Sequence, residues 1–247
     1  MNLFRFRQPY LQFNSSLGLT LIFLFGIPRF FIVLNANMTG SYGATSLIFI
    51  SMWLVPFLLL KRDGRKQIGI CKPKKYQWLI YAFVLGMVAA AIGYFIATFI
   101  YSHAIENWYV YISKSYRITP NQLQGSNRSI YFAIFAGTSM IFSPIGEELL
   151  YRGLIHESFV PQFGENKASI IDSSAFALTH LAHFGFVYTA GKWQFFLVPA
   201  LLWVIFMFLT SRLFYFFRKK SGSIYGALLG HAGFNLTMTY FIFYHIM

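Results

Sequence analysis

Three short stretches hold side chains that can move protons. SPIGEELLYRG (143–153) sets Glu147 beside Glu148 with Arg152 four residues on, FALTH carries Phe176 and His180, and HAGFN carries His231 and Asn235. If Ser143 caps a helix and Pro144 opens it, both glutamates fall in its first turns. Neighbours on an α-helix point about 100° apart, so the two carboxylates face different surroundings. Arg152, at i+4, is placed to pair with Glu148. That leaves Glu147 free to act as a base on water. Asn235 lies one turn after His231, so the two project from one face. A spare carboxylate, an orienting histidine in His180 and a pair of oxyanion donors in His231 and Asn235 make up the inventory of peptide hydrolysis.

Other chemistries use the same residue types. Two His and two Glu could supply zinc ligands, but HExxH spacing is absent. Ser173 and Ser174 have no signature of an activated nucleophile. The glutamates and Arg152 would also suit a solvated ion-pair cluster at a membrane surface. Isolated histidines in apolar helices are more often hydrogen-bonded core residues: His183 reads so, His156 and His245 read as peripheral, and His103 belongs to an outer loop.

The elements that must position these groups are membrane helices. The chain of 247 residues is 57% hydrophobic and 11% charged, with mean hydropathy +0.55, a balance that excludes an ordinary soluble domain. Apolar runs at 17–34, 44–60, 77–101, 129–142, 168–186, 195–217 and 224–246 predict an all-α, polytopic membrane helix bundle of seven to eight helices. Its interior is expected to hold the polar site in a cavity, because a charge in hydrocarbon costs several kcal/mol. Arg29 and Asp172 also fall at membrane depth. The chain reads as a single integral membrane domain, 1–247, with the chemistry confined to 143–240.

The net charge of +13 is concentrated in loops; 61–75 alone holds seven Lys or Arg against one Asp, and 216–222 holds three more. By the positive-inside rule these loops and the N-terminal RFR are cytoplasmic, which predicts a multi-pass cell-membrane protein with a cytoplasmic N-terminus. The first apolar run has no small-residue cleavage site after it and reads as a retained helix. Nucleic-acid binding is excluded, since basic loops between apolar spans are the ordinary membrane pattern. The single cysteine, Cys71, rules out an intramolecular disulfide.

The three motifs together, EExxxR (147–152), FxxxH (176–180) and HxxxN (231–235), resemble the signature of the CAAX-protease and bacteriocin-processing (CPBP, or Abi) family of intramembrane glutamate proteases. The resemblance implies a membrane endopeptidase without a metal or other cofactor. In it Glu147 is the general base, Glu148, Arg152 and Phe176 support the site, His180 orients the water, and His231 and Asn235 stabilise the oxyanion. It implies as partners the lipid bilayer and a peptide or protein substrate, prenylated or a bacteriocin-type precursor, met in the membrane or at its cytoplasmic side. The competing reading is a non-catalytic membrane scaffold or regulator of a sensor or transporter; a proton-coupled transporter has less support, because no repeat halves are visible.

Overall fold

The computed structural model describes residues 5–247, and the fold is helical apart from one hairpin. The helices are α1 (Ser15–Thr39), α2 (Gly43–Leu59), the short α3 (Arg62–Gln67), α4 (Gln77–Tyr101), the short α5 (Trp108–Ser113), α6 (Asn127–Glu147), α7 (His156–Thr179), α8 (Leu197–Ser221) and α9 (Ile224–Phe241). Four described stretches are long and apolar enough to cross a bilayer: Ser15–Thr39, Gln77–Tyr101, Asn127–Ala182 and Leu197–Ser221. The apolar α2 is shorter, and α9 is interrupted by His231 and Asn235; both pack within the same bundle. Phe23, Ile27 and Phe31 of α1, Val84, Val88 and Phe99 of α4, and Leu201, Ile205 and Leu209 of α8 all point outward, exposed. Such apolar stripes match a lipid surround.

Two buried cores flank the centre. One gathers Trp108, Phe184, Trp203, Phe214 and Phe234 from α5, the turn after α7, α8 and α9. The other gathers Phe25, Met52, Leu150, Leu154, Phe159 and Phe176. The tightest seam joins α4 to α9. Along α4, Ala82, Gly86, Ala90, Gly93 and Ala97 form a buried small-residue face. At Gly86 an added Cβ would collide with the Gly230 carbonyl, and at Gly233 with that of Phe83. Small residues of this kind let helix backbones meet where hydrophobic driving force is weak.

The 56-residue stretch Asn127–Ala182 is a helical hairpin. After α6 the chain widens into a π-helical segment, Glu148–Ile155, then continues into α7. It reverses at Gly164, whose φ of 70° is costly for any residue with a Cβ. Symmetric contacts across that point show the reversal: His156 meets Asp172, and Tyr151 meets Phe176.

Two boundaries differ from the sequence expectation. No helix starts at Ser143; α6 runs straight through Pro144. A proline inside a helix strands a carbonyl and crowds the preceding turn, but neighbours take up the carbonyls nearby. Asn235 Nδ2 donates to Ser139 O at 2.8 Å, and Trp53 Nε1 to Phe142 O at 2.8 Å. The run at 168–186 also stops early. Its helix ends at Thr179 in a 3-10 turn, and Phe186 opens a hairpin, β1 (Phe186–Thr189) with β2 (Lys192–Phe195). Ala190 (φ 50°) and Gly191 (φ 76°) make the two-residue turn.

The basic loops lie together at one end of the bundle. Ile224 N donates to Gly69 O at 2.9 Å, Ser223 Oγ to Cys71 O at 2.7 Å, and Arg218 pairs with Glu157 at 2.6 Å. At the opposite end sit the α1–α2 turn, the 102–126 segment and the β-hairpin. Asn37 Nδ2 donates there to Ala182 O, and Tyr188 N to the Tyr111 hydroxyl.

Candidate active site

The hairpin reversal brings EExxxR and FxxxH side by side, and α9 lays HxxxN against both. Glu147 ends α6 and Glu148 begins the π segment, a feature often found at functional sites. Glu147, Glu148 and Arg152 are all buried. Arg152 Nε lies 3.2 Å from Glu148 Oε2, and its guanidinium sits over the Phe176 ring at 4.2 Å. Phe176 also packs against His180 at 4.3 Å. The aromatic of FxxxH therefore fixes both the arginine and the histidine, with cation–π attraction holding the former.

Glu147 is not free of a partner. Arg29 Nη2 of α1 donates to its Oε1 at 2.6 Å, and both side chains are almost wholly buried. Arg29 further donates to Thr179 Oγ1 at 3.3 Å, lies 3.4 Å from His183 Nε2, and packs over Phe49. The sequence shows Arg29 only as an ionisable residue at membrane depth; its partner is 118 residues away, and no spacing rule connects them. The physical need is clear afterwards: a second buried carboxylate beside Glu148 requires a second cation. The pairing occupies one oxygen. Glu147 Oε2 has no hydrogen-bond partner among the described residues and stands 3.9 Å from His231 Nε2.

The histidines present defined faces. His180 Nδ1 is 2.7 Å from the Phe176 carbonyl. A carbonyl only accepts, so Nδ1 carries the hydrogen, and Nε2 of the neutral ring keeps its lone pair. Trp203 Nε1 fixes the same turn by donating to His180 O at 2.9 Å. His231 Nδ1 lies 2.8 Å from Glu148 Oε1, with its ring stacked on Phe214 at 4.8 Å. Glu148 therefore has two partners, Arg152 and His231. Asn235 shares the α9 face with His231, but its amide is engaged with α6, donating to Ser139 O and, at 3.2 Å, to Ser143 Oγ.

His183 keeps the hydrogen-bonded place read for it, whereas His156, read as peripheral, is not peripheral. His183 contacts Arg29 and lines the same cavity as His180. His156 is fully buried, its Nδ1 2.7 Å from Asp172 Oδ2 and its Nε2 3.1 Å from Glu165 Oε2. That cluster, completed by Tyr215 donating to Glu165 at 3.0 Å, sits toward the basic-loop end, apart from the cavity. His245 is peripheral, exposed and packed among Tyr94 and Tyr240.

A cavity of about 560 Å³ has Glu147, His180, His231 and Asn235 in its walls. Hydroxyls of Thr45, Ser46, Thr138, Ser139 and Ser143 run along the α2 and α6 side, and Phe214, Phe234 and Met207 along the other. This combination places a polar wall opposite an apolar one inside the bundle. Among the described residues no group of three or more His, Cys, Asp or Glu is arranged to hold a metal ion.

No curated protein and no solved structure gave a significant match to the chain. One family model does match: residues 129–237 fit the type II CAAX prenyl endopeptidase Rce1-like family. The matched stretch begins with α6, contains all three motifs and ends just past Asn235, leaving α1 and Arg29 outside it. The stretch that carries Glu147, His180, His231 and Asn235 is therefore similar to a family of membrane proteases, and it sits within an integral membrane protein.

Proposed function

We propose that the chain is an intramembrane endopeptidase in which Glu147 activates water. The observation that carries this reading is the state of Glu147: one oxygen fixed by Arg29, the other at a cavity wall without a hydrogen-bond partner among the described residues. A water between Glu147 Oε2 and His180 Nε2 gives its hydrogens to both. Glu147 removes a proton as the water oxygen attacks the peptide carbonyl carbon. The carbonyl oxygen becomes an oxyanion that His231, held through Nδ1 by Glu148, stabilises. On collapse the C–N bond breaks, and Glu147 returns its proton to the leaving amine.

Arg29 has a positioning role here: it fixes the rotamer of Glu147 and compensates its buried charge. Asn235 acts chiefly by tying α9 to the proline-containing turn of α6, which keeps His231 in register with Glu147. No resident metal takes part in this scheme. A peptide precursor of the bacteriocin or signal type suits the cavity's polar wall, and its apolar wall leaves room for a lipid-modified terminus. The basic loops place their end of the bundle, and the N-terminus, in the cytoplasm.

The test is a comparison in cells of wild type, Glu147→Gln and His180→Ala at matched expression, with precursor and product peptides read by mass spectrometry. Loss of the same product in both variants supports proteolysis. Unchanged peptides and phenotype in both would replace it with a scaffold.

A further inference from the structure

The cavity has its mouth at the end of the bundle away from the basic loops. Gly40, Tyr42, Ser115 and Arg117 line that mouth, and α2 separates it from the 61–75 loop by 17 residues, about 25 Å of helix. A second hollow of about 430 Å³ adjoins it and shares Tyr42, Ser115 and Arg117 with the cavity. This vestibule is lined by Lys114 and Arg117, three tyrosines and Asn37, with no acidic residue. Neither cation forms an ion pair among the described residues. Arg117 holds a left-handed backbone (φ 54°) and lays its guanidinium against Gly40, a strained conformation fixed at the junction of the two spaces. Below it, Thr45 Oγ1 is buried in the cavity wall without a partner.

Lys114 and Arg117 are both exposed to the hollow, and its lining holds no acidic residue to compete, so an anion entering there meets two cations. The distance from that anion to the chemistry follows from α1, because Gly40 packs on Arg117 and Arg29 holds Glu147. The 11 residues from Arg29 to Gly40 span about 16 Å of helix, or about five residues of extended chain. We infer that the vestibule binds a carboxylate of the peptide substrate, with Arg117 as the specificity-determining contact, and that the scissile bond lies about five residues from it. The inference rests on the peptidase reading above. It also moves substrate entry to the face opposite the basic loops, away from the cytoplasmic side expected from sequence.

The test uses the full-length protein in phosphatidylcholine nanodiscs, so that no anionic lipid is present. Short apolar peptides carrying a fluorophore are made in three forms: amidated with no acid, free C-terminal acid, and amidated with one internal Asp. Binding is read by anisotropy for wild type, Arg117→Gln and Arg117→Lys, and products by mass spectrometry. At least one acidic form should bind about tenfold more tightly than the neutral one. Arg117→Gln should erase that difference and Arg117→Lys keep much of it. Which acidic form gains tells a terminal from a side-chain carboxylate, and cleavage should fall about four to six residues away. Equal binding of all three peptides, no binding by any, or indifference to Arg117→Gln overturns the inference, as does cleavage at a spacing unrelated to the acid. Acid preference without hydrolysis would keep the carboxylate site at Arg117 but overturn the scissile-bond spacing together with the peptidase reading.

Discussion

Two buried clusters in this molecule use the same side chains to opposite ends. Near the basic loops, His156 lies between Asp172 and Glu165, Ser173 donates to Asp172, and Tyr215 donates to Glu165. No buried polar side-chain atom of that set lacks a partner among the described residues. In the centre, Glu147 and Glu148 meet Arg29, Arg152 and His231, yet Glu147 Oε2, Arg29 Nε and the terminal nitrogens of Arg152 are buried without hydrogen-bond partners among the described residues. The first cluster locks the helical hairpin shut across Gly164. The second leaves bonding capacity unused beside a cavity, where water and a peptide can claim it. Buried polar groups are normally satisfied, so the unsatisfied set marks the chemistry.

The comparison breaks if function fails to follow the unsatisfied set. The largest expected effect is from Glu147→Gln, which should lower peptide cleavage by about 10²–10⁴-fold. His180→Ala should follow at about 10²-fold, with the helical fold kept, as read by circular dichroism. Arg29→Met strands the Glu147 charge and should cost about 3–5 kcal/mol of stability as well as activity. The double variant Arg29→Met with Glu147→Gln should regain much of that stability and none of the activity, a pattern that thermal unfolding in detergent would show. The smallest effect sharpens orientation alone. With Cys71→Ser and Ser115→Cys, a membrane-impermeant maleimide should label intact cells at the single thiol, whereas labelling only after lysis would turn the cavity mouth to the cytoplasm.

The local parts of this architecture were legible before any coordinates. The i+4 spacing of Glu148 and Arg152, and of His231 and Asn235, set which side chains share a helix face, and the apolar runs marked the bundle. What escaped depends on contacts across the fold. Arg29 reaches Glu147 from a helix more than a hundred residues away. Pro144 reads as a helix start until Trp53 and Asn235 are seen taking the carbonyls around it. His156 looked peripheral because its partners come from the returning arm of a hairpin that pivots on one glycine. The Ala190-Gly191 turn is a weak local signal, since FVYT and KWQF are too short to show alternation inside an aromatic-rich chain.

The most direct test sets the two clusters against each other. Glu147→Gln and Asp172→Asn would be purified side by side, and cleavage per folded molecule measured with the thermal midpoint of each. The account predicts that Glu147→Gln loses cleavage while remaining folded, and that Asp172→Asn unfolds at lower temperature yet cleaves at near the wild-type rate while folded. Full cleavage by Glu147→Gln, or loss of cleavage by well-folded Asp172→Asn, would contradict it.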